Sequence, residues 1–408
     1  MTFSELNLCA PIIGVLNKIG YTTPTPIQSK SIPYILQGKD IFGCAQTGTG
    51  KTAAFALPIL QLLSENEKLR NTKGIKALIL APTRELALQI SENITAYSAK
   101  LDVKHTVIFG GVSQHTQVNA LRNGVDILIA TPGRLLDLMQ QGIVKLNMVH
   151  YLVLDEADRM LDMGFINDIK KLIAKLPIQR QTVFFSATAS PDIMQLAQTL
   201  LNDPINVQVA PVSSAAGLIT QSLYYVKKED KKLLLKHLIN EQNIEHALVF
   251  TRTKHGADKV VKDLKRDGIT ALAIHGNKSQ NERVKALNHF KDKSIRMLIA
   301  TDVASRGIDL EKLSHVINFD IPEQAESYVH RIGRTGRAGE NGIAISFCSL
   351  DEMGYLKDIQ KLIKTNVDVV RNHPFSLSTE TQTISAPRPS VGKPHFGKKT
   401  HRRRRVVN

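Results

Sequence analysis

Tryptophan is absent from the 408 residues, and aromatic side chains make up only 5% of them. A surface that stacks successive bases is therefore poorly supplied. Only three cysteines occur, Cys9, Cys44 and Cys348, far apart and odd in number. A disulfide framework is excluded, and a reducing, cytoplasmic compartment is expected. No Cys/His cluster has zinc-ligand spacing, which removes a structural zinc site. Long apolar runs are missing too. A spanning helix needs ~20 such residues, and the best stretch, Ala53 to Leu63, is short and broken by Pro58 and Gln61. With Glu5 near the start and no basic stretch there, a secretory signal is not expected. Acids are also scarce: 37 Asp and Glu face 53 Lys and Arg, a net charge of +16. That balance excludes an acidic solvating protein. It points to a polyanionic partner, and the missing apolar runs favour nucleic acid over a membrane surface.

What is present is ordinary globular composition, 42% hydrophobic and 22% charged, over a length suited to two or three domains. Short apolar runs alternate with longer helical stretches, the pattern of a parallel α/β architecture. Runs expected as buried strands are Ile41–Cys44, Ala77–Leu80, Asp126–Ala130, Tyr151–Leu154 and Thr182–Phe185. A second series comprises Ala247–Phe250, Ala271–Ile274, Ile295–Ala300, Val316–Phe319 and Ile343–Phe347. Between them, Asn202 to Thr220 contains Pro204, Pro211 and a Ser-Ser-Ala-Ala-Gly run, and reads as a linker. From His373 onward prolines recur, and Arg388, Lys393, Lys398, Lys399 and Arg402 to Arg405 face a single acid, Glu380. This segment is expected to be a disordered basic tail, either a phosphate attractor or a solubilising end.

Polar, Gly-rich and charged clusters fall at the C-terminal ends of the apolar runs, where open parallel sheets bind ligands. The first is Ala45, Gln46, Thr47, Gly48, Thr49, Gly50, Lys51 and Thr52, close to the phosphate-loop pattern, although the usual first Gly would fall at Ala45. Its glycines allow successive N–H groups to turn toward an anion, Lys51 supplies charge for the β/γ-phosphates, and Thr52 offers a hydroxyl to Mg²⁺. The second is Asp155-Glu156-Ala157-Asp158, directly after a strand run. Asp155 is placed to hold Mg²⁺ through water, and Glu156 to position and deprotonate the attacking water. Solvated acids at a helix start are the bland alternative; the pairing with Lys51 and Thr52 favours triphosphate hydrolysis. A third cluster, His330-Arg331-Ile332-Gly333-Arg334-Thr335-Gly336-Arg337, offers Arg334 and Arg337 to a γ-phosphate across a cleft. Thr301-Asp302 through Asp309 would line the same cleft.

Taken together, and in this order, these segments resemble the DEAD-box ATP-dependent RNA helicases of superfamily two over roughly Phe3 to Asn372. The stretch Arg159 to Phe165 is most similar to the bacterial RhlE-like subgroup. The resemblance implies two tandem RecA-like parallel-sheet domains, using ATP and Mg²⁺. Residues 1–29 would form the Q-motif region, 30–206 the first domain, 207–219 the linker, 220–372 the second domain and 373–408 the tail. It further implies that Phe3, Tyr21 and Gln28 read adenine, that Asp309 completes the ATP site, and that Asp158, Ser186, Thr188 and His330 couple the sites. The Ser186 and Thr188 hydroxyls could link the acidic and arginine clusters by hydrogen bonds. RNA contacts are implied at Pro82, Thr83, Arg84, Gly110, Gly111, Thr131, Pro132, Gly133 and Arg134. The second domain would add His275, Gly276, Gln280, Arg283, Thr301 and Asp302. Such groups suit phosphates and sugars, so binding to single or duplex RNA should be largely sequence-independent. The implied activity is ATP-driven separation of short duplexes or remodelling of RNA–protein complexes, with an ATP-timed RNA clamp or assembly factor as the alternative. Ribosomal precursors and the RNA-decay machinery are compatible partners.

Overall fold

The computed structural model describes residues 1–46, 48–209, 219–302, 313–336 and 342–377. Its strands are β1 (Ile41–Cys44), β2 (Ala77–Leu80), β3 (His105–Ile108), β4 (Ile127–Ala130), β5 (Tyr151–Leu154), β6 (Gln181–Ser186) and β7 (Ile205–Gln208), followed by β8 (Ile219–Tyr225), β9 (Ala247–Phe250), β10 (Ala271–Ile274), β11 (Met297–Ala300), β12 (His315–Asn318), β13 (Gly342–Cys348) and β14 (Asp368–Val369). They form two seven-stranded sheets, ordered β3-β4-β2-β5-β6-β1-β7 and β10-β11-β9-β12-β13-β8-β14. Every named pair is parallel, for example Leu80↔Leu154 between β2 and β5 and Cys44↔Ser186 between β1 and β6.

The central strands are covered on both faces, which is why they read as continuous apolar runs. Ala77–Leu80, Ile127–Ala130 and Ala247–Phe250 are buried at every position. One face of the first sheet packs Ile79, Ile129, Val153, Val183 and Phe185 against Phe55, Ile59 and Ile90; the other packs Leu78, Leu128, Leu152 and Phe184 against Leu135, Ile169 and Ile193. At ~25 cal/mol per Å² of apolar area removed from water, these layers dominate the drive to fold.

Four strands differ from the sequence expectation. β3, β7 and β14 are sheet edges, and β8 carries polar Thr220, Gln221 and Ser222. The stretch read as a linker from Asn202 to Thr220 therefore contains β7, where Val207 is buried and Asn206 and Gln208 are exposed, and the start of β8. Residues 210–218 lie outside the described residues. Residues 373–377, read as part of the tail, are packed against the second sheet's domain. Ser376 bridges Val226, the His373 ring meets Tyr224 at 5.3 Å, and Phe375 packs beside His237. The apolar Phe375 gives this stretch an anchor; residues 378–408 lie outside the described residues.

Candidate nucleotide and RNA site

Because all strands point the same way, every loop after a strand of the first sheet opens on one edge. The sheet order sorts those loops. The Lys51 loop follows β1, the Ser186-Ala187-Thr188 turn follows β6 and the Asp155-Glu156 turn follows β5, and these three strands are adjacent. At about 4.8 Å between neighbours, β1 and β5 sit roughly 10 Å apart, a span that a triphosphate can bridge. On the other half of the edge, β2, β4 and β3 lead to Pro82–Arg84, Thr131–Arg134 and Gly110-Gly111.

The phosphate-loop candidate is built as a turn feeding a helix, Lys51–Glu65. Gly50 caps it with φ 87°, and a Cβ there would stand 2.3 Å from Gln28 Nε2, so only glycine fits. Lys51 is buried and its ammonium donates to Ala45 O at 2.8 Å, while Thr49 Oγ1 donates to Gln46 O at 2.7 Å. Gln28, buried at the start of the helix Pro26–Leu36, accepts from Thr25 N–H at 2.9 Å and donates to Gly50 O at 3.1 Å. Phe3 and Tyr21 stack with centroids 6.4 Å apart, Phe3 inside the core and Tyr21 39% exposed.

Opposite, Asp155 is fully enclosed, and its Oδ1 has no hydrogen-bond partner. Burial pushes its pKa up to about 7, with the Lys51 ammonium pulling it back and Glu156 and Asp158 adding to the rise. A carboxylate held this way favours a cation. Oxygen donors from one carboxylate and the Thr52 hydroxyl suit hard Mg²⁺, which keeps several waters and needs few protein ligands. Glu156 adopts φ 53°, ψ 51°, a left-handed backbone that is unusual and costly for a non-glycine residue. Its carboxylate pairs with the buried Arg159 guanidinium at 2.5 Å. Asp158 accepts from Arg159 N–H and from Ala187 N–H, both at 3.1 Å, and its pKa is raised, chiefly by burial. The link from the acidic turn to β6 is thus the Ala187 amide. The Ser186 hydroxyl instead accepts from Thr188 N–H at 3.3 Å, since an amide at the strand end already points at Asp158.

The second sheet contributes along its own C-terminal edge. Arg334 is buried just beyond the helix Ala325–Ile332, whose His330 is half-buried, and Thr335 Oγ1 donates to Leu313 O. Thr47, Asp309 and Arg337 lie outside the described residues.

The RNA candidates divide. Arg84 lies flat over Gly111, where a Cβ would stand 2.1 Å from the guanidinium, and Gly111 has φ 75°. Arg134 reaches Val112 O at 3.1 Å and Gln117 Oε1 at 3.3 Å, tying the turns after β3 and β4 together. Pro82, Thr83, Thr131 and Pro132 are buried, with Thr83 Oγ1 capping the helix Arg84–Tyr97; Gly133 is exposed and Gly110 half-buried. Gly276 is exposed and Thr301 buried.

Four expected RNA side chains have protein partners. His275 is 1% exposed, with Nε2 3.0 Å from Asp258, so its imidazole faces inward. Asp302 is gripped by Arg331 through two bonds of 2.6 and 2.7 Å. Gln280 and Arg283 both bond Glu85 of the first sheet's domain, at 3.1 and 2.9 Å. They join the two halves of the molecule. Sequence reasoning passed over Glu85, Arg159 and Arg331. All three lie within or beside motifs already singled out, but nothing in the motif pattern named their partners.

Comparison with known proteins agrees with this layout. The DEAD/DEAH box helicase model matches residues 25–196, and the helicase conserved C-terminal domain model matches residues 230–339. The chain is 43% identical over 369 residues to the DEAD-box ATP-dependent RNA helicase CshA of Geobacillus kaustophilus, covering 90% of this chain and 78% of that protein. The S. cerevisiae Dbp5 structure bound to RNA and ADP BeF3 aligns with a TM-score of 0.80 at 30% identity, covering 90% of this chain and 95% of that one. A DEAD box protein from Methanococcus jannaschii is 40% identical but aligns with a TM-score of 0.53, covering 91% and 99%. The whole-chain arrangement therefore follows the RNA-bound Dbp5 form more closely than the more similar sequence. The chain belongs to the DEAD-box ATP-dependent RNA helicase family, with two tandem RecA-like domains.

Proposed function

We propose that this protein separates short RNA duplexes by binding ATP and RNA across two domains and resets by hydrolysing the ATP. The observation that carries the reading is the meeting of Lys51, Asp155, Glu156 and Ala187 on three adjacent strand ends, with Glu85 joined to Gln280 and Arg283 across the domains. Lys51, held on Ala45 O, would exchange that carbonyl for phosphate oxygens. The Ala45–Thr52 loop N–H groups would cradle the phosphates, with Gln28, Phe3 and Tyr21 facing the adenine. Thr52 and, through water, Asp155 would hold Mg²⁺, whose charge screens the phosphates during transfer. Glu156 would take the proton of the water attacking the γ-phosphorus while the bond to the β-bridging oxygen breaks. Arg334, with Arg337 and Asp309 from the outlying segments, would face the same phosphates from the second domain. Asp158, Ser186, Thr188 and His330 would report closure to the RNA loops after β2, β3 and β4.

The bounds proposed for the two domains are 30–206 and 220–372; β7 runs on to Gln208 and β8 begins at Ile219. The stretch Arg159 to Phe165 favours a place near the RhlE-like subgroup, whereas the relative named above is a CshA protein. Three unpaired cysteines and an RNA substrate favour a cytoplasmic site of action, with ribosomal precursors or decay complexes as targets. No helix among the described residues is long and apolar enough to cross a membrane.

The test compares ATP hydrolysis without nucleic acid, with RNA and with DNA, alongside displacement of a labelled strand from a short RNA duplex. RNA-selective stimulation with strand release is expected. Long ATP-dependent RNA residence without release would make the protein a clamp instead.

A further inference from the structure

We infer that Arg159 is the positioning residue for Glu156, fixing the carboxylate that receives the proton of the attacking water. The inference rests on the assignment of Glu156 given above. Arg159 lies on the short helix Ala157–Asp162, one turn beyond Glu156. Both side chains are sealed from solvent, 2% and 3% exposed, and the guanidinium Nη1 meets Glu156 Oε2. A buried guanidinium normally spreads its five donors over several acceptors. Here Nη2 has no hydrogen-bond partner, so the Glu156 carboxylate is what holds the guanidinium in place. Asp158 feels the same positive charge. It does not compete for the side chain, because its two oxygens take the Arg159 and Ala187 amides.

The backbone around the pair is equally constrained. Glu156 is held in the left-handed region, and Arg159 N–H closes the turn on Glu156 O at 3.0 Å. A carboxylate on a strained turn, held by a planar cation, has its orientation set before substrate arrives. The nucleophilic water then meets an acceptor that needs no reorganisation. As its oxygen bonds to the γ-phosphorus, one proton passes to Glu156, and ADP departs with the bridging oxygen. A displaced carboxylate loses that alignment, and a misplacement of about 1 Å costs on the order of 10²-fold in rate.

The experiment is a double-mutant cycle on the full-length protein, reading single-turnover phosphate release at saturating RNA and ATP. Arg159→Gln should slow release about 10²-fold while leaving ATP affinity within about twofold. Arg159→Lys, which restores charge but not the planar fork, should recover part of that loss. In a Glu156→Gln background, where the proton no longer passes through residue 156, Arg159→Gln should cost less than about twofold. An equal fold-loss in both backgrounds would make Arg159 a packing residue and overturn the inference. So would a loss expressed only in ATP affinity. Wild-type turnover by Glu156→Gln alone would instead remove the assignment on which the inference stands. Should Arg159→Gln melt at assay temperature, the Lys variant carries the same cycle.

Discussion

Glu85 offers the sharpest test of how the halves meet. Its two oxygens take Gln280 Nε2 at 3.1 Å and Arg283 Nη2 at 2.9 Å, and all three residues are buried. Truncating one partner of a buried interfacial charge pair costs about 2–5 kcal/mol. The lower end applies, because opening the cleft rehydrates both groups and returns part of the loss. About 2 kcal/mol corresponds to roughly a 30-fold shift against the closed form. If RNA and nucleotide both favour closure, as proposed, the penalty should surface as weakened RNA binding only when nucleotide is present. Anisotropy of a labelled single-stranded RNA, measured with and without a non-hydrolysable ATP analogue, reads this directly. Glu85→Ala should raise the Kd about 30-fold with the analogue and less than about threefold without it. A charge exchange, Glu85→Arg with Arg283→Glu, should recover part of the loss. Equal weakening in both conditions would mean that Glu85 serves RNA or the fold of its own domain, and the closure argument would fail.

Three further outcomes are expected. Lys51→Ala would remove the proposed charge-assisted phosphate interaction, worth about 1.5–3 kcal/mol, so ATP should bind roughly 10–150-fold more weakly by calorimetry. Arg334→Ala should lower kcat by about 10³-fold with a much smaller change in ATP affinity; steady-state kinetics giving an unchanged kcat would remove it from the cleft. Ending the chain after Leu377, which spares the packed stretch 373–377, removes eight of the basic residues and one acid. The slope of log Kd for RNA against log salt should flatten by several units, at ~0.7 for each phosphate of a single strand no longer neutralised, and basal ATP hydrolysis should persist. Unchanged slopes would leave the tail a solubilising segment.

How far the chain disclosed itself depended on burial. Strands such as Ala77–Leu80 and Ile127–Ala130 are apolar at each position because helices cover both faces, so they stood out as runs. β3, with three half-buried positions, and β7, alternating Asn206 and Gln208 with Val207, lacked that signature. The phosphate loop and acidic turn were readable because their chemistry is local, carried by neighbouring residues on one turn. Pairings were not readable. Gln280 and Glu85 are 195 residues apart, and only packing of two domains reveals that they share a bond. The inward turn of His275 and the capture of Asp302 by Arg331 were hidden for the same reason.

On the proposed assignment, the fuel loops follow β1, β6 and β5 and the track loops follow β2, β4 and β3, with β2 and β5 side by side at the frontier. On that assignment, the loops proposed to touch the track can vary while the fuel loops stay anchored to strands of their own. Such a layout lets descendants of one engine be retargeted to new cargo by editing three turns. It also means that the seam between Leu80 and Leu154 is the shortest covalently independent route by which the two territories can inform each other.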